Sequence, residues 1–61
     1  MKTRYFLCGF DYIRKLSKDR LYWYYPPLEM WMDLFAINIP EVLKHYTEIT
    51  EEEAFRHMLE N

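Results

Sequence analysis

Three side chains in this 61-residue chain are the soft-ligand candidates for zinc or for a nucleophile–base pair: Cys8, His45 and His57. A structural zinc site takes four ligands, commonly as close pairs such as CxxC or HxxxH, and neither spacing occurs. The three residues read instead as a strand cysteine and two surface or helix-end histidines, with His57 suited to the negative end of a helix dipole. A catalytic thiol at Cys8 would need an electropositive, partly exposed setting and an oxyanion hole, and nothing in the sequence brings either histidine to it. One glycine also leaves no phosphate-cradling loop. The expectation is a non-enzymatic chain with no catalytic residue, metal or cofactor.

Recognition chemistry is better represented. The stretch LYWYYPPLEMWM, Leu21 to Met32, places Tyr22, Trp23, Tyr24, Tyr25 and Trp31 close together. Along one strand Tyr22 and Tyr24 point one way and Trp23 and Tyr25 the other, so one aromatic pair is left outside a single-layer core. Tyr, Trp, Met and Arg are the residues that carry binding energy at protein interfaces. A partner-binding or self-association surface is therefore expected from Tyr22, Trp23, Tyr24, Tyr25, Trp31, Arg14 and Arg20. The same rings can stack bases, with Lys2, Arg4, Arg14, Lys15 and Arg20 meeting phosphates, which makes single-stranded nucleic-acid binding the second reading. That reading is weakened by a net charge of −2 and by the lack of an RNP pattern. Glu48, Glu51, Glu52 and Glu53 would allow mimicry of a phosphate backbone, together with Glu29, Asp33 and Glu41. Helix capping and dipole complementarity explain three of the first four.

Composition bounds what can position these groups. Sixty-one residues make one small domain, 1–61, near the lower limit for a core without disulfides, metal or oligomerisation. A hydrophobic fraction of 51% argues against disorder. A single cysteine excludes an intramolecular disulfide and suits a reducing, cytoplasmic setting. The N-terminal MKTRYFLCGFDYIRK breaks at Gly9 and Asp11 and has no small-residue cleavage site, so it does not read as a signal peptide, and no run is long enough to span a membrane. Residues 1–20 carry six bases and two acids and residues 21–61 eight acids and two bases, +4 against −6.

The pattern predicts an α+β fold: a small antiparallel β-hairpin or three-stranded sheet with a C-terminal α-helix. Arg4 to Ile13 reads as one strand, with Phe6, Cys8, Phe10 and Tyr12 on one face and Tyr5, Leu7, Gly9, Asp11 and Ile13 on a mixed one. Leu16 to Arg20 has turn composition, and Leu21 to Tyr25 is the second strand, ended by Pro26 and Pro27. The next segment fits either a helix or a third strand centred on Met30 to Met32, and the strand is preferred because a lone hairpin is marginal in water. Asn38 is placed to cap a short helix with Pro40 in its first turn and Val42, Leu43 and Tyr46 on one side. Thr50 and Glu53 form a capping box for a helix running to about Leu59, whose stripe of Ala54, Phe55, Met58 and Leu59 must dock on the sheet or on a second copy.

The order of features, a YWYYPPLExW hairpin followed by a YTEITEEEA helix start, resembles small reading frames of phages and prophages over roughly residues 20 to 55. Among such products are inhibitors that bind and disable bacterial defence proteins, often as homodimers. The resemblance implies that class and carries over no functional residue. The expected function is a phage-type inhibitor or adaptor that masks a host protein, with a homodimer anticipated from the thin core, the surplus aromatics and the charge polarity.

Overall fold

The structure is a computed structural model that describes residues 2–9 and 12–60. Its strands are β1 (Arg4–Cys8), β2 (Tyr12–Ser17), β3 (Arg20–Tyr25), β4 (Met30–Asp33) and β5 (Thr47–Ile49), and its helices α1 (Ile39–Leu43) and α2 (Glu51–Glu60). All neighbouring strands are antiparallel, in the order β4-β3-β2-β1-β5. The class is α+β, and the sheet has five strands.

The expected strand from Arg4 to Ile13 is two strands joined by a tight turn. Gly9 has a φ of 71°, a left-handed conformation that glycine adopts without steric penalty, and the chain reverses so that Cys8 pairs with Tyr12. Phe10 and Asp11 lie outside the described residues. The second reversal is tighter still. Ser17 pairs with Arg20, and the two residues between them, Lys18 (φ 51°) and Asp19 (φ 62°), both have positive φ. This is the backbone of a type I′ hairpin turn, whose twist matches that of the strands it joins. Pro26–Leu28 form one 3-10 turn, and Glu29 at φ 49° redirects the chain into β4.

Strand alternation then sorts the side chains between two faces. Tyr5, Leu7, Ile13, Tyr24, Trp31 and Ile49 lie under α2, which contributes the fully buried Ala54 and the partly buried Met58. On the opposite face Phe6 and Leu21 are 3% and 1% exposed. Here the crossover between β4 and β5 forms the cover: the Tyr46 ring lies 6.5 Å from Phe6, and Ile39, Pro40 and Leu43 flank Arg4 and Leu16. Burying one such side chain contributes roughly 1.5–3 kcal/mol, so a two-sided sheet gives this chain more core than a lone hairpin would.

The helix ends differ from each other in how they are held. At α2 the Glu53 N–H donates to Thr50 Oγ1 at 3.1 Å, and Glu53 Oε1 accepts from the Thr50 N–H at 3.2 Å and hydroxyl at 3.1 Å. This is the reciprocal capping box expected from the sequence. At α1, Asn38 precedes the helix but makes no side-chain cap; its backbone carbonyl accepts from the Val42 N–H instead. In the α2 stripe, Leu59 is 88% exposed and does not dock on the sheet. Among the described residues, no helix is long and apolar enough to cross a membrane.

Candidate protein-binding face

The two tight turns decide where the expected binding residues go. Lys15 pairs with both Tyr5 and Tyr22, which puts Lys15, Tyr22, Tyr24, Trp31 and Arg20 on the α2 face. Arg14 pairs with Phe6 and Trp23, which puts Arg14, Trp23 and Tyr25 on the other. The seven residues therefore do not form one surface.

The α2-face set is largely structural. Trp31 stacks at a tilt against Tyr24 (5.3 Å) and Tyr5 (6.2 Å), and Tyr5 meets Phe55 edge-on at 6.0 Å. The Lys15 ammonium sits 4.7 Å from the Trp31 ring centre and 5.2 Å from that of Tyr22. Burial lowers the Lys15 pKa, while the ring faces attract its charge. Arg20 is held by Asp33 at 2.7 Å, and the other Asp33 oxygen accepts the Phe35 N–H at 2.7 Å. The Phe35 hydrogen bond is the first cause of a lowered Asp33 pKa, with Arg20 adding to it. Phe35 itself has φ 55°, unusual for a bulky residue, and the Asp33 carboxylate supports that turn.

Among the described residues, the opposite face is covered at one end. Tyr46 and α1 lie over Phe6, Leu16 and Arg4, whereas Tyr12 (66% exposed) and Met30 (44%) stand clear of them. Between the covered and open ends runs a row across three strands: Arg14, Trp23 and Met32. Next to it Tyr25 pairs with Met30, and its ring meets Trp23 edge-on at 5.5 Å. Tyr12, Arg14, Trp23, Tyr25, Met30 and Met32 thus form an aromatic and thioether surface around one guanidinium. Tyr12, Met30 and Met32 were not among the expected site residues; the pairing register identifies them, and the sequence signal for it was the Gly9 turn.

Electrostatics sharpens the contrast between the cations. Arg4 binds Glu48 through two bonds of 2.9 and 2.8 Å, which raises the Arg4 pKa and lowers that of Glu48. Arg20 with Asp33, Lys44 with Glu41 and Arg56 with Glu52 are the other ion pairs among the described residues. Two of these four pairs join the basic first third of the chain to the acidic remainder, so part of the charge polarity is neutralised internally. Arg14 has no carboxylate partner among the described residues: Nη1 reaches only the Ile13 carbonyl at 3.4 Å, and Nε is buried with no acceptor. Its guanidinium carbon lies 5.8 Å from the Tyr46 ring centre.

A groove lies on the α2 side, lined by Tyr24, Pro26, Glu29, Phe55, Met58 and Leu59. Cys8 is half-buried and unpaired, and among the described residues no three His, Cys, Asp or Glu side chains gather as a cation site. No family model, curated protein or solved structure matches the chain.

Proposed function

We propose that this protein is a non-enzymatic binding module that masks a partner protein through the open end of the sheet, in the manner of a phage-type inhibitor or adaptor acting in a bacterial cytoplasm. The observation that carries this reading is the surface composition around Arg14. Trp, Tyr, Met and Arg are concentrated at the partly exposed end of one sheet face, beyond the cover that Tyr46 and α1 supply among the described residues. The single-strand nucleic-acid reading has less support, because Arg14 stands on one face while Lys15 and Arg20 stand on the other, and Lys15 is enclosed by rings. The case for a homodimer is also reduced, since the Arg4–Glu48 and Arg20–Asp33 pairs take up charge that a second copy would have met.

The test is site-specific photocrosslinking in a bacterial host, with a benzophenone amino acid at Tyr12 or Met30 and controls at Lys44 and Leu59. One discrete protein adduct from positions 12 and 30, and none from 44, is the expected result. Adducts from position 59 alone would move the site to the α2 groove and sink the sheet-face reading. Tight, salt-sensitive binding of a short oligonucleotide by the wild-type protein would replace it with the nucleic-acid reading.

A further inference from the structure

We infer that Arg14 is the anion-recognition point of this face and takes a single carboxylate, from an Asp or Glu side chain on an apolar segment of the partner protein. The inference rests on the proposed protein-binding role and adds the partner's chemistry. A guanidinium carries five N–H donors and no acceptor, and it holds its charge at any physiological pH. At Arg14 the described structure satisfies these donors poorly: one long bond to a carbonyl and a buried Nε–H with none. Tyr46 steadies the cation through its ring face but accepts no N–H in the plane. Arg4 and Arg20, both more exposed, each have a carboxylate at 2.9 Å or less. Among the described residues, the one half-buried arginine is the one without a counter-ion. A small swing of its side chain toward the open face would bring the fork to an external carboxylate, where Trp23 and Tyr25 exclude water and strengthen the pair.

The surroundings discriminate among anions. A phosphate dianion calls for more than one cation, and among the described residues no second cation shares the row of Arg14, Trp23 and Met32 or the open end beyond it. A two-fold contact with another copy fails for a different reason. It would oppose the same patch to itself, and that patch holds no free carboxylate among the described residues: Glu48, on this side of the sheet, already binds Arg4. The acid must come from a different protein.

The experiment selects phage-displayed random dodecapeptides on the wild-type protein and maps the selected, synthesised peptides by NMR, following the Arg14 Nε–H, the Trp23 indole and the methyls of Leu59. The expected peptides carry one Asp or Glu among apolar residues and shift Arg14 and Trp23. Replacing that acid by its amide weakens binding at least tenfold on the wild type and less than twofold on Arg14→Met. Arg14→Lys, which keeps the charge without the fork, falls between. Arg14→Met keeps an apolar stem between Phe6 and Trp23, and a cooperative melt confirms its fold. Peptides that bind this face without an acid, or whose acid shows no coupling to Arg14, overturn the carboxylate inference alone. Peptides that shift only Leu59, or no selection at all, overturn the binding face and the inference with it. A wild-type dimer by light scattering whose interface shifts Arg14 and Trp23 overturns it as well.

Discussion

Thr50→Ala tests the junction between β5 and α2. The Thr50 hydroxyl both accepts the Glu53 N–H and donates to Glu53 Oε1, each at 3.1 Å, so the substitution removes two of the three bonds of the box and leaves an N–H without its partner. Loss of such a cap costs about 1 kcal/mol. In a domain this small, 1 kcal/mol lowers the melting midpoint by roughly 4–8 °C. The third bond, from the Thr50 N–H to Glu53 Oε1, survives and is the first cause of the lowered Glu53 pKa, whereas the hydroxyl bond that is lost is the second cause and carries the pH dependence of the deficit. A carboxyl whose folded pKa is lowered stabilises the fold above its unfolded value near 4.3, and that contribution is lost as pH falls through the folded value. The thermal deficit of Thr50→Ala, followed by circular dichroism, should therefore be largest at pH 7 and smaller at pH 3, where the wild type has itself lost the ionised Glu53. An unchanged midpoint at pH 7 would refute the reasoning, because Ala54 and Met58 could then hold α2 on the sheet without a defined first turn.

Trp31→Ala should destabilise by about 3 kcal/mol or more, because it empties the space between Tyr5, Tyr24 and Lys15, whereas Tyr12→Ala, on the open face, should move the urea midpoint little; equal effects would contradict the division between the two faces. Replacing Lys18–Asp19 by Asn-Gly should stabilise by about 0.5–1 kcal/mol, since both positions hold positive φ in a type I′ turn, and a fall in the urea midpoint would show that these side chains matter for something other than the turn.

Local chemistry was legible in the sequence and long-range pairing was not. The capping box is complete within four residues, so Thr50 and Glu53 could be read directly. Met30 to Met32 was readable as a strand for a similar reason: two prolines must end β3, and the compact turn after them returns the chain alongside it. β5 carries almost no signal of its own. Thr47–Ile49 is three residues between two helices, and it is extended because β1 offers a free edge forty or more positions earlier. The Gly9 reversal was hidden by alternation that runs through it, from Phe6 and Cys8 to Tyr12. That omission misplaced the site: without the register, Arg14, Lys15 and Arg20 looked like one basic hairpin surface, and the two tight turns send Arg14 to the opposite side. Asn38 failed as a cap because its backbone, not its side chain, supplies the acceptor at α1.

The place of β1 between β2 and β5 divides the formation of this sheet into two stages of very different reach. β1 to β4 form a meander in which each strand meets its sequence neighbour, and the shortest closure, Ser17 to Arg20, joins positions three apart. Leu7 meets Thr47, forty positions on, only after the intervening chain has been gathered. Since loop-closure entropy grows as (3/2)RT ln n, that second step costs about 2 kcal/mol more than closing a hairpin of a few residues. It gains its return only when α2 docks with it. Refolding should accordingly show meander hydrogen bonds protected before those of β5, with substitutions at Ile49 speeding unfolding and leaving the folding rate almost unchanged. Pulsed hydrogen exchange with simultaneous protection of β3 and β5 would indicate a single concerted step. On the two-stage route, the face that carries Phe6 and Arg14 remains uncovered until the end, when Tyr46 arrives together with β5.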